Sequence, residues 1–119
     1  MEREKWRARI VNSCNSAGTY QPCFDDVIET LAAIMERRDE AQEAYEKDGR
    51  KSVVEQETST GGVKTVKNPF LLAVNELDSA ALAYWRDLGL TPKGFQSMQK
   101  NGFQKKEGTF EELLKNIGI

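Results

Sequence analysis

The side chains that could do chemistry are carboxylates, cations and a few aromatics, because histidine is absent from all 119 residues. Without imidazole there is no His-based triad or proton relay. The two cysteines, Cys14 and Cys23, do not stand at a metal-ligand spacing and have no histidine to complete a set, so no zinc site is expected. A disulfide between them is one reading; a reduced intracellular pair is the one expected. Gly61-Gly62 is the nearest thing to a glycine-rich phosphate loop and lacks everything else such a loop requires. Asp25-Asp26 could hold a cation, but these acids stand where a helix should begin, and the positive end of a helix dipole attracts acids without any metal. The expectation is a protein with no catalytic residue, no metal and no cofactor.

What remains is the chemistry of binding. Arg3, Lys5, Arg7 and Arg9 crowd the N-terminus, and Lys93, Lys100, Lys105 and Lys106 follow one another with no acid before Glu107. Both sets suit phosphate contacts, and both also suit ordinary solubility charge. The 17 basic and 19 acidic residues leave a net charge of -2, so any nucleic-acid contact must come from such local clusters or from an assembled surface. Tyr84-Trp85 could stack a base. Their place in an apolar stripe favours core or subunit interface instead. The charged run 36–43 reads as a solvated helix face.

These residues need elements to position them. A chain of this length is one domain's worth, 1–119. The basic N-terminal segment, 1–18, has charges of both signs and no apolar centre, so it is no secretory signal, and no apolar run approaches a membrane span. Trp6 and Ile10 share one face of a short helix there, and the Asn-, Ser- and Gly-rich stretch 12–18 reads as a linker. Residues 20–49 form the first long helix: Phe24, Val27, Ile28, Leu31, Ile34 and Met35 recur at three- and four-residue steps, and Gly49 ends it. Residues 51–67 are β-branched or alternating around Gly61-Gly62, so they read as a hairpin-like arm. A lone hairpin is marginal in water, and this one is expected to lean on a neighbour or be disordered.

The second long helix, 68–89, opens with Asn68 as cap and Pro69 in its first turn. Its apolar residues cover more than one side, so Phe70, Leu71, Val74, Leu82 and Trp85 should divide between core and subunit interface in a homo-oligomer larger than a dimer. Gly89 should close the helix with positive φ. Short helices occupy 91–119: Thr91-Pro92 repeats the cap-then-proline device with Phe95 and Met98 inward, and Thr109 and Glu112 form a capping box. The fold expected is mainly α, with two long antiparallel helices joined by a β-hairpin-like arm and short helices at both termini.

One combination carries more than its chemistry. Tyr45-Glu46-Lys47-Asp48-Gly49-Arg50 precedes the arm, Lys67-Asn68-Pro69 follows it, and Asp87-Leu88-Gly89-Leu90-Thr91-Pro92 closes the second helix. Over roughly residues 20–96 this order and spacing resembles the small-subunit terminase family of tailed double-stranded DNA phages and prophages. Residues Asp48, Gly49, Asn68, Pro69, Leu88, Gly89, Leu90, Thr91 and Pro92 match its motifs. Asn68 stands where histidine is common, and Lys93-Gly94-Phe95-Gln96 replaces small residues followed by an arginine. Residues 1–18 and 100–119 match none of these motifs. The resemblance implies a non-catalytic protein of the bacterial host's cytoplasm that binds double-stranded DNA, assembles as a homo-oligomeric ring and delivers DNA to the large terminase subunit. It implies no membrane partner. A small helical scaffold that binds only protein is the alternative reading of the same residues, and DNA retention separates the two.

Overall fold

A computed structural model describes residues 1–100 as four helices and one hairpin. Helix α1 spans Arg3–Ala17, α2 spans Asp25–Lys47, strands β1 and β2 span Val53–Glu57 and Val63–Lys67, α3 spans Pro69–Asp87 and α4 spans Pro92–Lys100. Lys105, Lys106 and the capping box at Thr109 and Glu112 lie outside the described residues. The fold is mainly α, with the two longest helices, α2 and α3, packed together and joined through the hairpin.

The stretch read as a linker is helix. Asn12, Ser13, Asn15 and Ser16 sit inside α1, which stops only at Gly18 in the left-handed region (φ 75°). Tertiary packing outweighs their poor helix propensity, because Ile10 and Cys14 of α1 are fully buried in the common core. That core also takes Ile28, Leu31, Ala32 and Ile34 from α2, and Ala81 and Leu88 from α3 and its end. Each large apolar side chain so buried contributes about 1.5–3 kcal/mol relative to exposure. Cys14 and Cys23 are free thiols, and burial pushes the Cys14 thiol pKa up. A 3-10 turn over Pro22–Phe24 leads into α2, where the Tyr20 hydroxyl donates to Asp25 at 2.8 Å.

Residues 53–67 form a two-stranded hairpin. Val53 pairs with Lys67 and Glu57 with Val63 in an antiparallel ladder, and the strands pack on each other rather than on the helices. Only Val54 and Val66 among the strand residues are half-buried. The arm is held at its two ends. At the tip, the Thr58 amide donates to the Gly62 carbonyl at 2.7 Å, and the Thr58 hydroxyl accepts from the Gly62 amide. At the base, Asn68 is fully buried. Its Nδ2 donates to the Lys51 carbonyl at 2.8 Å and to Asp48 Oδ2 at 3.1 Å, while its Oδ1 accepts from the Phe70 amide at 3.0 Å. One side chain therefore caps α3 and ties it to the end of α2 and to the entry of the arm.

The far end of α3 turns at Gly89, with φ 73°. A Cβ there would stand 2.6 Å from Met98 Sδ and 3.0 Å from Thr19 Cγ2. Five residues on, Gly94 is buried in the first turn of α4, where a Cβ would run into the Arg86 carbonyl. Thr91 caps that turn by accepting from the Gly94 amide at 3.0 Å. Glycine at both positions lets α4 fold back against the end of α3.

Two substitutions test these joints. Asn68→Ala strands the Phe70 amide and the Lys51 carbonyl, and should cost about 1–3 kcal/mol in denaturant unfolding. Gly89→Val meets both a forbidden backbone region and two occupied positions, so it should cost on the order of 1 kcal/mol or more. Wild-type stability in either variant would refute the corresponding assignment.

Candidate nucleic-acid interface

Helix α1 divides its cations between two sides. Arg3 and Arg7 turn toward α2: Arg7 Nε lies 3.3 Å from Glu29, and the Arg3 guanidinium reaches Glu29 and Glu36 at 3.9 and 3.8 Å. These side chains are about half exposed, so the pairs add little stability, but they neutralise the charge locally. The first turn of α1 is held more firmly. Glu36 Oε2 accepts from the Arg3 amide at 2.7 Å, acting as a cap borrowed from another helix, and Asp39 Oδ2 accepts from the Trp6 indole at 2.7 Å. Arg38 reaches the other way, donating to Asp78 of α3 at 2.8 Å. The charged run 36–43, read from sequence as a solvated face, thus supplies the contacts that seat α1 and cross-link α3. Spacing along one helix cannot show this, because the partners come from elsewhere in the chain.

Lys5 and Arg9 are exposed alongside Ala8, Asn12 and Ser16, and Lys5 also borders a cleft lined by Glu36, Asp39, Glu40 and Glu43 of α2. Neither makes an ion pair among the described residues. The Arg9 guanidinium carbon lies 5.3 Å from the centroid of the Trp6 ring, itself fixed by Asp39, so this cation is oriented rather than freely mobile.

A second set gathers at the other joint. Lys93 and Lys100 are exposed on α4, a helix with no acidic residue. Arg86, at the end of α3, joins Lys93 and Ser97 around a small surface cleft, with Asp87 as its one acid. Arg86, Lys93 and Lys100 take part in no ion pair among the described residues. Sequence reasoning does not single out Arg86; the signal available is its place just before Gly89, next to the glycine on which α4 packs. The two sets stay apart, since α1 packs mainly on α2 and α4 on α3.

The apolar candidates on α3 also sort themselves. Val74 is core at 4% exposure, and Leu71 and Trp85 are half-buried, with Trp85 and Tyr84 packed against the core. Phe70 and Leu82 remain exposed, at 44% and 57%. Leu72, which sequence reasoning passes over, is exposed at 42%. These side chains form apolar surface that the chain's own described residues leave uncovered.

The described surface offers exposed cations on α1, α3 and α4 and single exposed apolar side chains on α3. Among the described residues, no cluster of His, Cys, Asp or Glu could hold a metal, and no helix is long and apolar enough to cross a membrane. The family model described as phage terminase, small subunit, matches residues 3–105, and the chain belongs to that family. The match takes in α1, which the sequence motifs leave outside. No curated protein and no solved structure matches the chain.

Proposed function

We propose that this chain is the DNA-binding, ring-forming component of a phage packaging machine, acting in the cytoplasm of the bacterial host without catalytic chemistry of its own. It hands viral DNA to the large terminase subunit and modulates that subunit's ATPase and nuclease. The observation that carries the reading is the segregation of charge. On a net-acidic chain, Arg3 and Arg7 are neutralised by α2 and Lys5 borders its acids, whereas Arg9, Arg86, Lys93 and Lys100 stay exposed without ion pairs among the described residues. Free cations on the surface release condensed counterions when they meet phosphates. One subunit offers few of them, so affinity must come from repetition. A ring supplies it, multiplying a weak site by the number of subunits engaged on one duplex. The exposed Phe70, Leu72 and Leu82 on α3 offer the apolar contact that assembly needs.

The expected behaviour is duplex retention that falls steeply with salt. Replacing Arg86, Lys93 and Lys100 by Ala should weaken binding to all sequences and flatten the plot of log affinity against log salt, by up to about 0.9 for each phosphate no longer neutralised. Lys5→Ala with Arg9→Ala should do the same if α1 contributes, and comparison of the two variants ranks the sites. Arg3→Ala with Arg7→Ala should leave the salt slope near wild type, because those charges are already paired. A wild-type oligomer that fails to retain duplex DNA at low salt would refute the reading and favour a scaffold that binds only protein.

A further inference from the structure

One carboxylate of α2 serves two arginines of α1. Glu29 Oε2 lies 3.3 Å from Arg7 Nε, and its Oε1 lies 3.9 Å from Arg3 Nη1. The two arginines differ in what else they hold. Arg3 also reaches Glu36 at 3.8 Å, and its amide donates to that same carboxylate at 2.7 Å. Arg7 has Glu29 as its one ion-pair partner among the described residues. Arg7 and Glu29 are each about half exposed, so their pair is screened by solvent and adds little to stability.

Nor is that pair needed to seat α1. Ile10 and Cys14 are fully buried, the Trp6 indole donates to Asp39, and Glu36 caps the first turn. What the pair changes is the charge that α1 presents. Glu2, Glu4, Glu29 and Glu36 line one surface cleft, with Arg3 as its one cation. Acids in such excess make that side of α1 repel a polyanion, although two of the four cations of α1 stand there.

We propose that Glu29 is an internal phosphate mimic: it occupies the Arg7 guanidinium and keeps the side of α1 turned to α2 from binding a nucleic-acid backbone. A guanidinium meets carboxylate and phosphate with the same planar set of donors, so the two anions compete for it. The inference rests on the DNA-binding reading above and adds a restraint to it. Phosphate contacts carry no sequence information, so an extra free arginine would strengthen capture of every duplex alike. Glu29 removes that contribution and leaves duplex contact to the cations outside the pair.

Retention of duplex DNA by the full-chain oligomer over a salt series tests this, with circular dichroism confirming that each variant folds. Glu29→Gln keeps the shape of the side chain and loses its charge. For each subunit engaged, it should raise affinity at low salt by up to about fivefold, the worth of a surface ion pair. It should also steepen the plot of log affinity against log salt by up to about 0.9 per engaged subunit, as one more phosphate is neutralised. Adding Arg7→Ala to Glu29→Gln should cancel both gains, because Arg7 is the cation released. Glu76→Gln removes an equal charge from an exposed residue of α3 that has no ion pair among the described residues, and should leave the slope at its wild-type value. If Glu29→Gln changes nothing, if Arg7→Ala fails to cancel its gain, or if Glu76→Gln gives the same gain, the pair is no restraint and only the DNA-binding reading survives. A wild-type oligomer that retains no duplex at low salt overturns both together.

Discussion

Asn68 is a fully buried amide with three hydrogen-bonded neighbours, and the geometry of the molecule turns on it. Its oxygen caps α3, and its nitrogen holds the Asp48 carboxylate and the Lys51 carbonyl. A buried amide left unpaired is costly, so each of these contacts favours the others. Their joint formation sets where α2 ends, where the arm leaves and where α3 begins. The arm can then project with no helix packed against it, because its base is fixed by a polar knot rather than by an apolar face. Proline at position 69 reinforces the joint by occupying the first helical turn, where an amide would have no partner.

The opposite end is organised by space rather than by hydrogen bonds. Gly89 and Gly94 keep two Cβ positions empty, and the volume is taken by Met98, Thr19 and the Arg86 carbonyl. Helix α4 lies close against α3 as a result, which brings Lys93 beside Arg86. The basic cleft is thus a consequence of the turn. Arg86 and Lys93 are separated in sequence by the turn itself, and are adjacent because both glycines permit the reversal.

Much of this was legible in the residues. The periodicity of Val27, Ile28, Leu31 and Ile34 marks α2, Asn68-Pro69 marks the start of α3, and Gly89 its end, each by a local rule. The Asn- and Ser-rich part of α1 misleads, because its helicity comes from burying Ile10 and Cys14 against residues distant in sequence. The double role of Asn68 is half visible: the cap is local, whereas Asp48 lies on the far side of the arm. The basic N-terminus reads as one cluster, since nothing within it reveals that Glu29 and Glu36 occupy Arg3 and Arg7 and leave Arg9 without an ion pair among the described residues. Pairing across helices is a tertiary fact, and it is what decides which cations can meet a phosphate.

On the proposed reading, family membership and exposed cations converge on one physical requirement, that single subunits bind too weakly alone and act through repetition. On that reading closed symmetry does two things: it covers exposed apolar side chains and aligns equivalent cations around an axis. The most direct test is electron microscopy of the purified full chain, averaged in end-on view. The account predicts closed rings with a single rotational symmetry and the same surface of every protomer facing the axis. Particles of single-chain size, or open chains of indefinite length, would contradict it.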